Sequence, residues 1–153
     1  MSDNWFSNFK PFDKPMLYGL YRYETPEHFY QAMKTDNKTQ RHMIATAHTP
    51  GQAKKLGRIC DIKPNWNDIK DDYMLYALQY KFRKGTLFNK QLLQTKGLIC
   101  EWNKWHDNYW GSCTCNTCIS IKGKNKLGKM LMSIRLLSKF GIEPKILAAL
   151  VLK

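Results

Sequence analysis

The sequence predicts an α+β fold, mainly helical, with a few short strands in a single compact domain over residues 1–153. Three observations carry that expectation. Helical spacing recurs in long windows: Ile69, Tyr73, Tyr76 and Tyr80 beside Met74, Ala77, Leu78 and Phe82, then Leu127, Met130, Leu131, Ile134 and Leu137. Strand-like pieces are short, at 16–23 and 97–102. The 153 residues, 43% of them hydrophobic, suit one core, and no repeat, low-complexity tract or linker interrupts them.

Residues 1–15 set Trp5, Phe6, Phe9 and Phe12 among Ser7, Asn8, Pro11 and Pro15, an irregular segment pinned by aromatics. Met16 to Tyr23 alternates loosely and predicts a strand or hairpin arm. Thr25-Pro26 then starts a helix running to about Lys34: threonine is a good N-cap, and proline suits the first helical position, where its missing N–H costs nothing. A turn at Asp36-Asn37-Lys38 leads to a helix over 39–47. Thr49-Pro50 restarts a short helix with Gly57 as its C-terminal cap and Arg58 just beyond. Helices are expected over 68–84, closed by Gly85, and over 86–95. Gly97 to Trp102 reads as a strand. Residues 103–124 form a long, poorly periodic segment rich in Asn, Cys, Gly and Trp; loops of that length in small domains are usually functional or held by something. Asn125 caps the last clear helix, Gly141 ends it, and residues 143–152 suit a terminal helix.

Composition narrows the function. The net charge of +13, from 25 Lys and Arg against 12 Asp and Glu, favours anionic partners, either nucleic acid or a phosphorylated small molecule. Lysines are spread along the chain rather than gathered in a tail. No apolar run approaches a membrane span, and Met1-Ser2-Asp3-Asn4 does not read as a signal peptide, so a soluble cytoplasmic protein without a membrane partner is expected. Five cysteines, an odd number in that setting, argue against a disulfide framework. The chain has no Gly-x-Gly-x-x-Gly, no Walker-type phosphate loop and no Gly-x-Ser-x-Gly elbow, which disfavours hydride transfer, common nucleotide hydrolysis and serine acyl chemistry.

Four places carry polar groups worth weighing. Glu27, Gln31 and Lys34 fall at i, i+4 and i+7 on the first helix, one stripe of carboxylate, amide and amine. Spacing alone favours a solvated helix face there. Arg58 after Gly57 can grip a phosphate bidentately, or be a surface arginine near a helix end. Glu101 to Gly111 holds two carboxylates and three tryptophans in eleven residues: either acids with raised pKa values beside rings, or a packed aromatic hairpin with surface acids. Gly123 to Lys129 makes a basic helix N-terminus able to receive an anion. Separately, Cys113, Cys115 and Cys118 offer thiols for a structural zinc with His106 or Cys100 as fourth ligand, or are reduced loop thiols.

Taken in order, Trp5-Phe6-Ser7-Asn8-Phe9, Thr25-x-Glu27-His28-Phe29-Tyr30-Gln31-Ala32-x-Lys34, Thr49-Pro50-x-x-Ala53-Lys54-x-Leu56-Gly57-Arg58, Trp66, Met74, Lys81-Phe82, Leu93-x-Thr95, Glu101, Asp107-x-x-Trp110-Gly111 and Asn125-x-Leu127-Gly128-Lys129-x-Leu131-Met132-x-Ile134-Arg135 resemble the YbiA-like, or NADAR, family. The matches run through about nine tenths of the chain. The resemblance implies an N-glycosidase. Some members cleave phosphoribosylamino-pyrimidine intermediates of riboflavin biosynthesis; others remove ADP-ribose from guanine in DNA. It implies no required cofactor, and a partner that is a phosphorylated ribosyl small molecule or an ADP-ribosylated nucleic acid. Glu27, Lys34, Trp66, Asp107 and Trp110 fall on family active-site positions, while Gly57-Arg58 and Asn125 match phosphate and pocket positions. Ser7, Asn8, Gln31, Glu101 and Gly111 complete the expected substrate contacts. Lys34 is then the expected nucleophile, assisted by Glu27 or Asp107, or else a substrate clamp while a carboxylate activates water. The departure is the loop after Gly111, where many relatives have a shorter glycine-rich link and this chain has Ser112 and three cysteines. Two other readings remain at this stage: a non-catalytic ADP-ribose or NAD module, and a nucleic-acid-binding module.

Overall fold

The structure, a computed structural model, describes residues 5–142; the terminal helix expected over 143–152 lies outside them. The fold is α+β and mainly helical, and its described residues form two compact units, 5–81 and 82–142.

In the first unit, β1 (Met16–Tyr18) and β2 (Tyr21–Tyr23) form an antiparallel hairpin in which Met16 pairs with Tyr23 and Tyr18 with Tyr21. The two-residue connection opens on Gly19 at φ +59°, the left-handed conformation that a tight hairpin turn demands of its first residue. α1 (Pro26–Ala32) follows, capped by the Thr25 hydroxyl on the His28 N–H at 3.2 Å. α2 (Lys38–Ala45) is capped by Asn37 and α3 (Pro50–Ile59) by Thr49; α4 spans Trp66–Lys81. α1 packs against α2, α3 and α4, and every one of its residues is buried. Phe29 anchors its apolar side, edge-on to Tyr18 at 5.2 Å and to Tyr23 at 5.4 Å. Each such fully buried ring contributes about 1.5–3 kcal/mol of transfer free energy.

In the second unit, α5 (Leu87–Gln94) packs on α6 (Lys126–Lys139) through buried Leu92, Leu131 and Ile134. Between them lie β3 (Trp102–Asn103) and β4 (Ser112–Cys113), a two-residue parallel ladder.

Four readings need correction. Gly57 is not a C-cap: α3 continues to Ile59, and Gly57 is buried inside it, where a Cβ would lie 2.1 Å from Gln31 Oε1. Close approach between α1 and α3 requires the missing side chain, not a left-handed turn. The helix placed over 68–84 runs instead over Trp66–Lys81, and Gly85, at φ +90°, sits in the turn beyond it. The strand placed over 97–102 shrinks to β3. Its apolar residues do not enter a core (Leu98 is 90% exposed), and the Asn125 amide takes the Ile99 C=O and the Glu101 N–H. Parallel pairing of β3 with β4 also removes the aromatic-hairpin reading of 101–111.

Candidate functional site

The polar stripe on α1 is not a solvated face. Glu27 is 6% and Gln31 4% exposed, and Lys34, just past the helix, is half-buried. A buried carboxylate needs donors. The Gln31 Nε2 donates to Glu27 Oε1 at 2.7 Å, one helical turn away. The Glu27 backbone N–H is tied to the Asn8 carbonyl at 3.1 Å, which fastens the aromatic N-terminal segment to the start of α1. Lys34 Nζ donates to the Gly57 carbonyl at 3.2 Å. Gly57 therefore serves twice: its bare Cα admits Gln31, and its C=O holds the lysine.

Burial moves both titrating groups towards neutrality. Glu27 has its pKa raised by burial, with Gln31, Lys54 and Lys34 pulling back. Lys34 has its pKa lowered by burial; Cys60 and Glu27 oppose this, and Arg58 and Lys54 add to it. Both shifts run towards the uncharged forms that acid–base and nucleophilic chemistry use.

Two buried acceptors complete the first unit's set. Gln31 Oε1 and Asn8 Oδ1 have no hydrogen-bond partner among the described residues. Buried carbonyls without donors are rare, and hydroxyls of a ligand satisfy them well. Asn8 Nδ2 lies 3.3 Å from Met74 Sδ, and the Ser7 hydroxyl accepts the Phe9 N–H at 3.2 Å. Arg58 is exposed in the last turn of α3, and its guanidinium makes no hydrogen bond or ion pair among the described residues. Trp66 is buried, stacked on Tyr73 at 5.9 Å and tilted against Tyr30 at 5.1 Å. Its ring is part of the core beneath α1.

The second unit holds the rest. Asp107 Oδ1 accepts the N–H groups of Tyr109 at 3.0 Å and Trp110 at 2.8 Å, while Oδ2 makes no hydrogen bond among the described residues. One carboxylate oxygen thus shapes the turn and the other is available. The Trp110 ring meets Tyr109 edge-on at 5.0 Å. Gly111 is buried where a Cβ would lie 2.3 Å from the Glu101 carbonyl, so no larger residue fits. Glu101 is half-buried and takes the Ser112 N–H on its carbonyl at 2.8 Å. Asn125 stands at the N-cap position of α6 but caps nothing: it is left-handed at φ 47°, and its amide bridges Ile99 and Glu101 at 2.8 and 3.1 Å. It positions the 99–101 segment.

Two residues were given no role in the sequence reading. Lys81 is fully buried, donates to the Ser7 carbonyl at 2.7 Å, and has its pKa drawn down to about 7, chiefly by burial and then by Lys10. Its position could have exposed it: Met74, Ala77, Leu78 and Lys81 share the inward face of α4. Asn103 is buried and holds the Asp107 turn from both ends, its Nδ2 on the Asp107 carbonyl at 2.7 Å and its Oδ1 on the Asp107 N–H at 3.1 Å. Nothing in the local pattern marks it.

A half-buried amine beside a buried carboxyl, with pKa values shifted in opposite directions, is the arrangement the comparisons with known proteins bear on. The NADAR domain family matches residues 1–137, running through both units. N-glycosidase YbiA of Escherichia coli is 31% identical over 132 residues, covering 85% of this chain and 78% of that protein. The NMR structure of the same protein superposes with a TM-score of 0.74 at 30% identity, over 92% of this chain and 82% of that one. N-glycosidase Npun_R5314 of Nostoc punctiforme is 33% identical over 139 residues, 85% of this chain and 82% of its own. The riboflavin biosynthesis protein VVA0006 of Vibrio vulnificus is 30% identical over 111 residues, 71% of this chain but 29% of that longer protein. The chain belongs to the NADAR domain family and, with its relatives, to the hydrolases of N-glycosyl compounds. No described helix is long and apolar enough to cross a membrane.

Proposed function

We propose that this protein hydrolyses the C1′–N bond of a phosphorylated ribosyl compound, with Lys34 as nucleophile and Glu27 as proton donor. The observation that carries this reading is the buried α1 stripe, in which both groups shift towards the uncharged forms the chemistry needs. Glu27 gives its proton to the ribose ring oxygen as the C1′–O4′ bond breaks and the lone pair of the departing nitrogen forms a C1′=N bond. The Lys34 amine adds to C1′, and a proton passes to the substrate nitrogen, which leaves as the free amine. Lys34 is then joined to C1′ as an iminium. Water adds to C1′, the lysine departs, and the sugar aldehyde closes to ribose. Gln31 Oε1 and Asn8 Oδ1 accept ribose hydroxyls, and Arg58 takes a phosphate oxygen pair.

The name of VVA0006 supports a phosphoribosylamino-pyrimidine of riboflavin biosynthesis as substrate. The net charge of +13 supports ADP-ribosyl-guanine in DNA instead, since a polyanion gains more from a basic surface than a small ligand does. A side-by-side assay of base release from both, with Glu27→Gln as control, tests the reading. Turnover of either substrate that Glu27→Gln loses supports it; binding of both with release from neither reduces the protein to a binding module. Borohydride added during turnover separates the chemistry: a sugar adduct on Lys34 is expected, and normal turnover with no adduct overturns the covalent route in favour of direct attack by water.

A further inference from the structure

We propose that His106, Cys113, Cys115 and Cys118 bind one zinc ion, which clips together the irregular segment between β3 and α6. The four ligand atoms lie within 4.8 Å of one another. His106 Nδ1 is 3.2 Å from the Cys118 Sγ and 3.3 Å from the Cys115 Sγ. Tetrahedral zinc, with Zn–S of about 2.3 Å and Zn–N of about 2.0–2.1 Å, sets its ligands about 3.5–3.8 Å apart. Movements of well under an ångström per side chain therefore convert this cluster into a closed coordination shell. Cys100, the other thiol considered for the fourth place, is not in the cluster.

The backbone brings the ligands together from two directions. Cys113 lies in β4, paired with Asn103 of β3, and Thr114 donates to the Asn103 carbonyl at 2.8 Å. The Cys118 N–H closes a turn on the Cys115 carbonyl at 3.0 Å, which presents both sulfurs to one side. His106 reaches the same point from the turn after β3 and adopts φ 65°, a left-handed conformation unusual for histidine, with its ring against the thiols. Cys113 and Cys118 are buried, Cys115 is half-buried and His106 is exposed, so the cluster is shielded on one side and open to metal entry on the other.

The segment has little regular structure and no apolar core of its own among the described residues. Its regular structure is a two-residue ladder, and Trp102, Trp105, Ile119 and Ile121 are exposed rather than gathered in a core. Soft thiolates with one imidazole in a tetrahedral set select zinc over harder divalent ions. The cysteines are unpaired in this structure, which leaves them all available as ligands.

The full chain, purified under reducing conditions from zinc-supplemented cells, is expected to carry one zinc by elemental analysis. His106→Ala and Cys115→Ser, at the least buried positions of the set, should fall below a tenth of that while keeping the wild-type circular dichroism. Cys100→Ser should keep its zinc. Replacement by cobalt should give a thiolate charge-transfer band and strong visible d–d absorption in the wild type, both lost in Cys115→Ser. A folded wild-type chain with neither zinc nor a cobalt spectrum overturns the proposal. So does zinc retained in full by both His106→Ala and Cys115→Ser, which places the metal elsewhere. A Cys115–Cys118 disulfide in place of metal, read as two missing thiols in an unreduced titration, overturns it as well. None of these readouts depends on the substrate or on N-glycosidase activity.

Discussion

The α1 stripe and the 101–125 region offer similar polar groups and are built by different physics. Glu27, Gln31 and Lys34 are set by packing: three helices surround α1, and the groups are buried because their neighbours leave them no other place. Asp107 and Trp110, half-exposed, and the buried Gly111 sit in backbone with little regular structure, held by side chain–backbone hydrogen bonds from Asn103, Asp107 and Asn125. A site of the first kind is sensitive to volume and dielectric. One of the second kind is sensitive to the loss of single polar atoms.

The sharpest break is at the half-buried Lys34 amine. Lys34→Ala is expected to lower kcat by about 10²–10⁴-fold, the range for removing an essential reacting group, with the circular dichroism unchanged; a drop smaller than tenfold in base release would sink the covalent role. Gly57→Ala probes the packing. Its new methyl meets Gln31 Oε1 at 2.1 Å inside a closed helix–helix contact, so a loss of about 1–3 kcal/mol in urea unfolding is expected, with activity falling alongside. Wild-type stability in that variant would mean the helices separate freely, contrary to the view that packing sets this site.

Asn125→Ala tests the other mode of construction. It removes both tethers on 99–101 and adds no bulk, so the expected loss is about 1–2 kcal/mol. Asn125→Asp, which keeps one acceptor for the Glu101 N–H, should recover part of it.

A last effect is a pH dependence centred on Lys81. Its folded pKa, about 7, is depressed below the unfolded value of about 10.4. Between those values the unfolded chain binds more protons, so stability rises with pH. The urea midpoint should climb from pH 7 to pH 9 in the wild type and flatten in Lys81→Met. An equal climb in both proteins would assign the slope to other groups.

What the sequence displayed and what it hid follow from range. Thr25-Pro26 announced α1 because capping is local, and the strong spacing in 69–82 announced α4. Burial of the stripe was invisible in α1 itself: a carboxylate, an amide and an amine in line look solvated until three other helices cover them. Family resemblance, drawn from many short pieces, pointed to those residues where periodicity did not. Gly57 misled because a glycine near a helix end usually signals a left-handed stop. Its real cause is Gln31, 26 positions earlier in the chain. The 97–102 strand misled because apolar residues in a row imply pairing, whereas the Asn125 side chain took the backbone groups.

The bond from Lys34 to the Gly57 carbonyl has a stereochemical consequence. An ammonium has three N–H bonds and no lone pair; a neutral amine has two and one. When Lys34 loses its proton, a carbonyl 3.2 Å away still requires an N–H pointed at it. The lone pair is then excluded from the side facing α3 and confined to the remaining tetrahedral directions. On the proposed covalent route, the acceptor that holds the charged lysine at rest thus also selects the face from which the free amine attacks.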